Sequence, residues 1–178
     1  MKITRHIPIA VGIFFTIASS LFAGEAGWST NYTKALEQAK AQNKPVLLDF
    51  TGSDWCGWCM KMKKETLDKP EFKKYAQQNL VLVEVDFPQM KQQPATVKSQ
   101  NQKLKQEFKV NGYPCFVLVD KEGKELGRQG GYLEGGPAAF IAKLNTFYTP
   151  APTASARTGN GSSSFDEFFK KPAASPAP

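Results

Sequence analysis

The chain has 178 residues, room for one domain or for one small domain with attachments. Hydrophobic residues make up 41% and aromatics 12%, enough for a packed core, which excludes a wholly disordered protein. Lys and Arg outnumber Asp and Glu by 23 to 16, a net charge of +7, and three Cys are too few and too odd in number for a disulfide-stapled miniprotein.

Residues 1–23 open with Lys2 and Arg5, continue with an apolar run over 7–18 and end in Ser-Ser-Leu-Phe-Ala. This is the three-part layout of a cleavable signal peptide, with the cut expected after Ala23. The apolar run falls short of the about 18 residues of a comfortable membrane span. Removing the segment takes away two cations and no acid, so the net charge falls from +7 to +5, and it removes His6, the only His. The exported domain therefore has no imidazole for catalysis or metal binding.

Residues 24–148 read as one domain in which helices and strands alternate. A helix is predicted over 31–43, with Tyr32, Ala35, Leu36 and Ala39 on one face. Lys44-Pro45 ends it, and the apolar run Val46-Leu47-Leu48-Asp49-Phe50 has the length of a buried strand. Helices follow over 57–67 and 70–78, the second with Pro70 in its first turn, where proline is tolerated. Residues 80–85 make a second strand. Pro88 and Pro94 put 87–98 in a loop, and Leu104 and Phe108 mark a helix over 99–109. Strands at 116–119 and 124–128 flank a turn at 120–123, and Gly135-Gly136-Pro137 precedes a last amphipathic helix carrying Phe140, Ile141, Leu144 and Phe147. Such an order predicts an α/β domain with a mixed sheet and helices on both faces.

Residues 149–178 are rich in Pro, Ala, Ser and Gly, a composition that buries too little apolar surface to offset the entropy of ordering. Within this tail, Ser164 and Glu167 match a capping box, and Phe165, Phe168 and Phe169 fall on one helical face, the pattern of a segment that folds on a partner.

The chemistry concentrates at Trp55-Cys56-Gly57-Trp58-Cys59. Two Cys separated by two residues, just after a buried strand and at the start of a helix, suit a redox pair. Free N–H groups and the helix dipole stabilise a thiolate on Cys56 and lower its pKa, making it the nucleophile. Cys59, one turn on and expected to be the more buried, resolves the mixed disulfide. The same spacing also suits a structural disulfide or half of a zinc site, but zinc prefers four N or S ligands and the exported chain offers three Cys and no His. No metal and no cofactor beyond the Cys56–Cys59 pair is expected.

Three blocks, Lys44-Pro-Val-Leu-Leu-Asp-Phe50, Trp55-Cys-Gly-Trp-Cys59 and Val110-Asn-Gly-Tyr-Pro114, resemble thioredoxin in order and approximate spacing over about residues 28–148. The signal peptide and the lead-in to the Cys pair are similar to those of periplasmic thioredoxin-like reductases of the DsbH type, and to the C-terminal domain of the membrane reductase DsbD. The resemblance implies a thioredoxin fold, a cis Pro114 against the Cys pair, and a Tyr113 backbone that receives an extended substrate strand. It also implies that Asp49 is a buried acid assisting proton transfer to the resolving thiol. One extra residue separates Asp49 from Cys56, and Glu84 stands where the family has a Lys. A second acid raises the proton affinity of such a pair. Cys115 stands where the family usually has Thr; alternation along a strand turns it away from the Pro114 side, as a small buried hydrophobe, with a third redox thiol and a metal ligand as the other readings. Trp55 is expected beside the Cys pair and Trp58 at the substrate, while Lys61, Lys63 and Lys64 make a solvated helix face.

Gly57 and Trp58 bring no charge between the two Cys, which predicts a reducing potential rather than that of a strong oxidase. The expectation is a monomeric periplasmic reductase of disulfides in exported proteins, supplied with electrons by a membrane partner of the DsbD type. An oxidase of the same fold and a binding or chaperone-like module with a structural disulfide are the alternatives. Without a basic-aromatic platform, nucleic acid is not an expected partner despite a pI of 9.3.

Overall fold

A computed structural model describes residues 27–150. The expected signal peptide with its cleavage site, and the Phe-rich island of the tail, lie outside them. Ten elements follow in chain order: α1 (Tyr32–Gln42), β1 (Val46–Thr51), α2 (Gly57–Met62), a π-turn (Lys63–Leu67), α3 (Pro70–Asn79), β2 (Val81–Asp86), α4 (Ala95–Glu107), β3 (Cys115–Val119), β4 (Glu125–Gly130) and α5 (Gly136–Phe147). Asn31 caps α1 by accepting the Lys34 N–H at 2.9 Å, and Asn43 closes it in the left-handed conformation at φ 51°.

The four strands lie in the order β2-β1-β3-β4. β1 runs parallel to β2 and antiparallel to β3, and β3–β4 is the hairpin around Asp120, whose carboxylate accepts the Glu122 and Lys124 N–H groups. The continuous apolar run of β1 matches its central place: every residue of it is buried. The polar β4 is one edge, where Gly127 lets the Phe147 ring of α5 lie against its backbone.

Alternation along the strands splits the core in two. Val46, Leu48, Phe50, Val83, Cys115 and Val117 meet Ala35 and Ala39 of α1 and Leu104 of α4 on one face. Leu47, Leu82, Phe116 and Leu118 meet Met62, Leu67, Phe72, Phe140 and Leu144 on the other. Each fully buried Phe or Leu contributes about 1.5–3 kcal/mol relative to exposure.

One predicted boundary is corrected. The loop after β2 stops at Pro94, and α4 begins at Ala95, four residues before the expected start. Pro94 caps the helix rather than barring it: its carbonyl accepts the Lys98 N–H at 3.0 Å, and its missing N–H is not needed there.

Register fixes where the site lies. Thr51 pairs with Asp86, Phe50 with Cys115, and Cys115 with Gly130, so the carboxyl ends of β1, β2 and β4 and the start of β3 share one end of the sheet. The Cys motif, the loop after Asp86, Tyr113-Pro114 and Gly131-Tyr132 all emerge there.

Candidate active site

Cys56 is the cap of α2. Its N–H donates to Gly52 O at 2.9 Å, its Sγ accepts the Cys59 N–H at 3.2 Å, and it is disulfide-bonded to Cys59 with the Cα atoms 5.2 Å apart. The sequence places the resolving thiol deeper than the nucleophile; in the disulfide form the two are buried almost alike, at 7% and 5% exposure. The covalent ring ties the sulfurs to the same patch of helix start, which levels them.

The aromatics on either side of Cys56 are held differently. Trp55 lies across Gly52, donates its Nε1–H to Phe87 O at 2.8 Å, and meets the Tyr113 ring edge-on at 5.7 Å. Phe87 completes that cluster, 5.3 Å from Tyr113. Trp58 is 59% exposed and stacks on Tyr132 at 5.5 Å, with Lys61 Nζ above both rings. Tyr132 donates to Glu65 at 2.5 Å, and that bond pushes its phenol up to about 12. The Tyr113–Pro114 peptide is cis, and Pro114 O accepts the Gly131 N–H at 2.8 Å, which brings Tyr132 beside the cis-proline loop. Of the three neighbouring lysines, Lys63 is paired with Asp68 at 3.5 Å and is half exposed.

Asp49 faces the side of the sheet covered by α2 and the π-turn, because it alternates with Leu47 of that core. It is 7% exposed, its Oδ1 has no hydrogen-bond partner among the described residues, and its register partner is Glu84. Burial first, and the Glu84 charge second, push the Asp49 carboxyl up to about 8, against a smaller opposing pull from Lys63. Glu84 is raised as well, by burial and by Asp86. Cys115 turns to the opposite face, among the α1 and α4 residues, and burial pushes its thiol up.

Several residues here escape a reading of the sequence. Asp54, Asp86, Phe87 and Tyr132 reach the site through contacts 32 to 67 positions apart. The local signals are that Asp54 directly precedes the Trp-Cys motif and that Asp86 ends, and Phe87 follows, a strand parallel to β1. Among the described residues no group of three His, Cys, Asp or Glu is placed to hold a metal ion.

Comparison with known proteins agrees with this geometry. A family model for a thioredoxin-like domain matches residues 32–148. The disulfide bond reductase DsbH of Chlamydia pneumoniae is 46% identical over 124 residues, 70% of this chain and 74% of that protein. A solved DsbH oxidoreductase is 40% identical with a TM-score of 0.65, over 83% of this chain and 92% of the other. The thiol:disulfide interchange protein DsbD of Photorhabdus laumondii is 33% identical over 101 residues, 54% of this chain and only 16% of that protein. The chain belongs to the thioredoxin-like family, and its Cys56–Cys59 pair makes it a thiol:disulfide oxidoreductase.

Proposed function

We propose that the chain reduces disulfides in exported proteins, working as a periplasmic monomer after loss of residues 1–23. The Cys56 thiolate attacks a substrate disulfide, forms a mixed disulfide and releases the first substrate thiolate. Cys59 gives its proton to the Asp49 carboxylate and attacks Cys56 Sγ, which releases the second substrate thiolate and leaves the Cys56–Cys59 disulfide. Two electrons pass to the substrate, and a membrane dithiol partner of the DsbD type returns them.

The observation that carries this reading is the Cys59 N–H directed at Cys56 Sγ with only Gly57 and Trp58 between the two Cys. One backbone donor lowers the thiolate's energy modestly; a charged or imidazole neighbour, which stabilises the reduced form of strong oxidases, is absent from the motif. An Asp49 carboxyl near 8 is matched to an ordinary thiol near about 8.5, so the proton moves with little free-energy change. Glu84 maintains that affinity, and Tyr113 and Pro114 receive the substrate strand between Trp55 and Trp58.

Equilibration with glutathione tests the direction. The expected potential lies nearer the about −270 mV of thioredoxin than the about −120 mV of DsbA. A value at the oxidising end makes the chain an oxidase. Insulin reduction that survives Cys56→Ser makes the pair structural and the chain a binding module.

A further inference from the structure

Residues 53–55 are fastened to the end of β2 and the loop after it by six hydrogen bonds. Ser53 donates from its N–H and its hydroxyl to the two carboxylate oxygens of Asp86, at 2.8 and 2.6 Å. Trp55 Nε1 donates to Phe87 O at 2.8 Å. The Asp54 carboxylate accepts the consecutive backbone N–H groups of Gln89, Met90 and Lys91, at 3.0, 2.8 and 3.0 Å. These N–H groups hold its carboxyl below the ordinary range, so it stays ionised at neutral pH. The loop it grips carries Phe87, which packs on Tyr113, and Met90, whose side chain is 77% exposed.

We infer that Asp54 is a positioning residue whose grip on residues 89–91 sets Met90 beside Trp55 as an apolar edge of the site, selecting substrates with an apolar side chain next to the reacting Cys. The inference rests on the reductase reading and adds a substrate preference to it. Two observations carry it. Three consecutive N–H groups converging on one carboxylate leave the loop little freedom, although it contains no regular secondary structure between Asp86 and Ala95. Met90 on that loop is 77% exposed, and the 40% exposed Trp55 is bonded to the same loop at Phe87 O, so both leave apolar surface uncovered among the described residues. Lys91 leaves the same loop, so an acidic preference is the competing outcome, and the test separates the two.

The experiment compares two short disulfide-linked peptides, one with Leu and one with Asp beside the Cys, reduced by the chain in its dithiol form. The readout is the ratio of kcat/KM for the Leu peptide to that for the Asp peptide, which a general loss of stability leaves unmoved. In the unaltered chain the ratio is about 10, the lower end of what one apolar contact discriminates. Asp54→Asn, which keeps the size and removes the charge, lowers it about threefold or more by loosening the loop. Met90→Asp, at an exposed position where folding is not at stake, brings it to about 1 or below. An unchanged ratio in either variant, or a ratio below 1 in the unaltered chain, overturns the inference while leaving the reductase reading intact. No turnover of either peptide by the unaltered chain overturns both.

Discussion

Asp49 and Glu84 stand opposite one another in the parallel pairing of β1 and β2, on the face covered by the helix that starts at the Cys pair. Two carboxyls in adjacent strands, one of them buried, cannot both be ionised cheaply, so the more buried one retains its proton to higher pH. Asp49 thereby keeps the high proton affinity on which the proposed proton transfer from Cys59 rests.

Replacing Asp49 with Asn removes that base. The decay of the mixed disulfide on Cys56, followed by stopped-flow tryptophan fluorescence, slows by about a hundredfold at pH 7, the lower bound of general-base catalysis. Glu84→Gln removes like charge and lets the Asp49 pKa fall, so the midpoint of the pH–rate profile for that step moves to lower pH. A midpoint that stays put, or moves up, rules out the electrostatic coupling.

The same carboxyl governs stability. Its folded pKa of about 8 exceeds the unfolded value of about 3.9, so the folded state binds the extra proton and stability is lost as pH rises from 4 through 8. The shift of about four units sets an upper bound on the order of 5 kcal/mol. Thermal melts at pH 4 and pH 9 check this: the fall in Tm between them shrinks in Asp49→Asn, whatever the substitution does to the absolute Tm. An equal fall in both proteins contradicts the assignment.

Trp55 depends on a missing side chain. A Cβ at Gly52 would stand 2.5 Å from the Trp55 ring. Gly52→Ala therefore expels the ring, breaks its bond to Phe87 O and separates it from Tyr113, at about 1–3 kcal/mol. Urea unfolding measures the loss, and a red-shifted emission maximum reports the ring's release into water.

The elements that the sequence marks well are those that local chemistry decides. The apolar run of β1 has one physical outcome, a strand buried on both faces, and the Asn31 and Asn43 caps bound α1 within a residue of expectation. The Cys pair is legible because its spacing and position after a strand carry its chemistry. Pro94 is not legible in the same way, since proline at a helix start is tolerated as readily as it interrupts a helix, and α4 starts directly after it with the Lys98 N–H on Pro94 O. The π-turn has no sequence signature. The Asp54 and Tyr132 contacts depend on register between distant segments, which no local pattern contains.

Cys115 directly follows the cis-proline but is not exposed to the chemistry there. Its side chain belongs to the core between the sheet and α1 and α4, away from the face where Asp49 and Glu84 lie. It is 6% exposed, and burial raises its thiol pKa despite the nearby Arg128. A thiol that is mostly protonated and out of solvent reacts slowly with an alkylating agent. Brief iodoacetamide treatment of the dithiol form at pH 7 is therefore expected to label Cys56 and leave Cys115 unmodified, read by peptide mass spectrometry. Cys115→Ala loses about 1 kcal/mol of stability from the small cavity and retains insulin reduction. Rapid labelling of Cys115, or loss of turnover in the Ala variant out of proportion to its Tm, identifies it instead as a third thiol of the redox site.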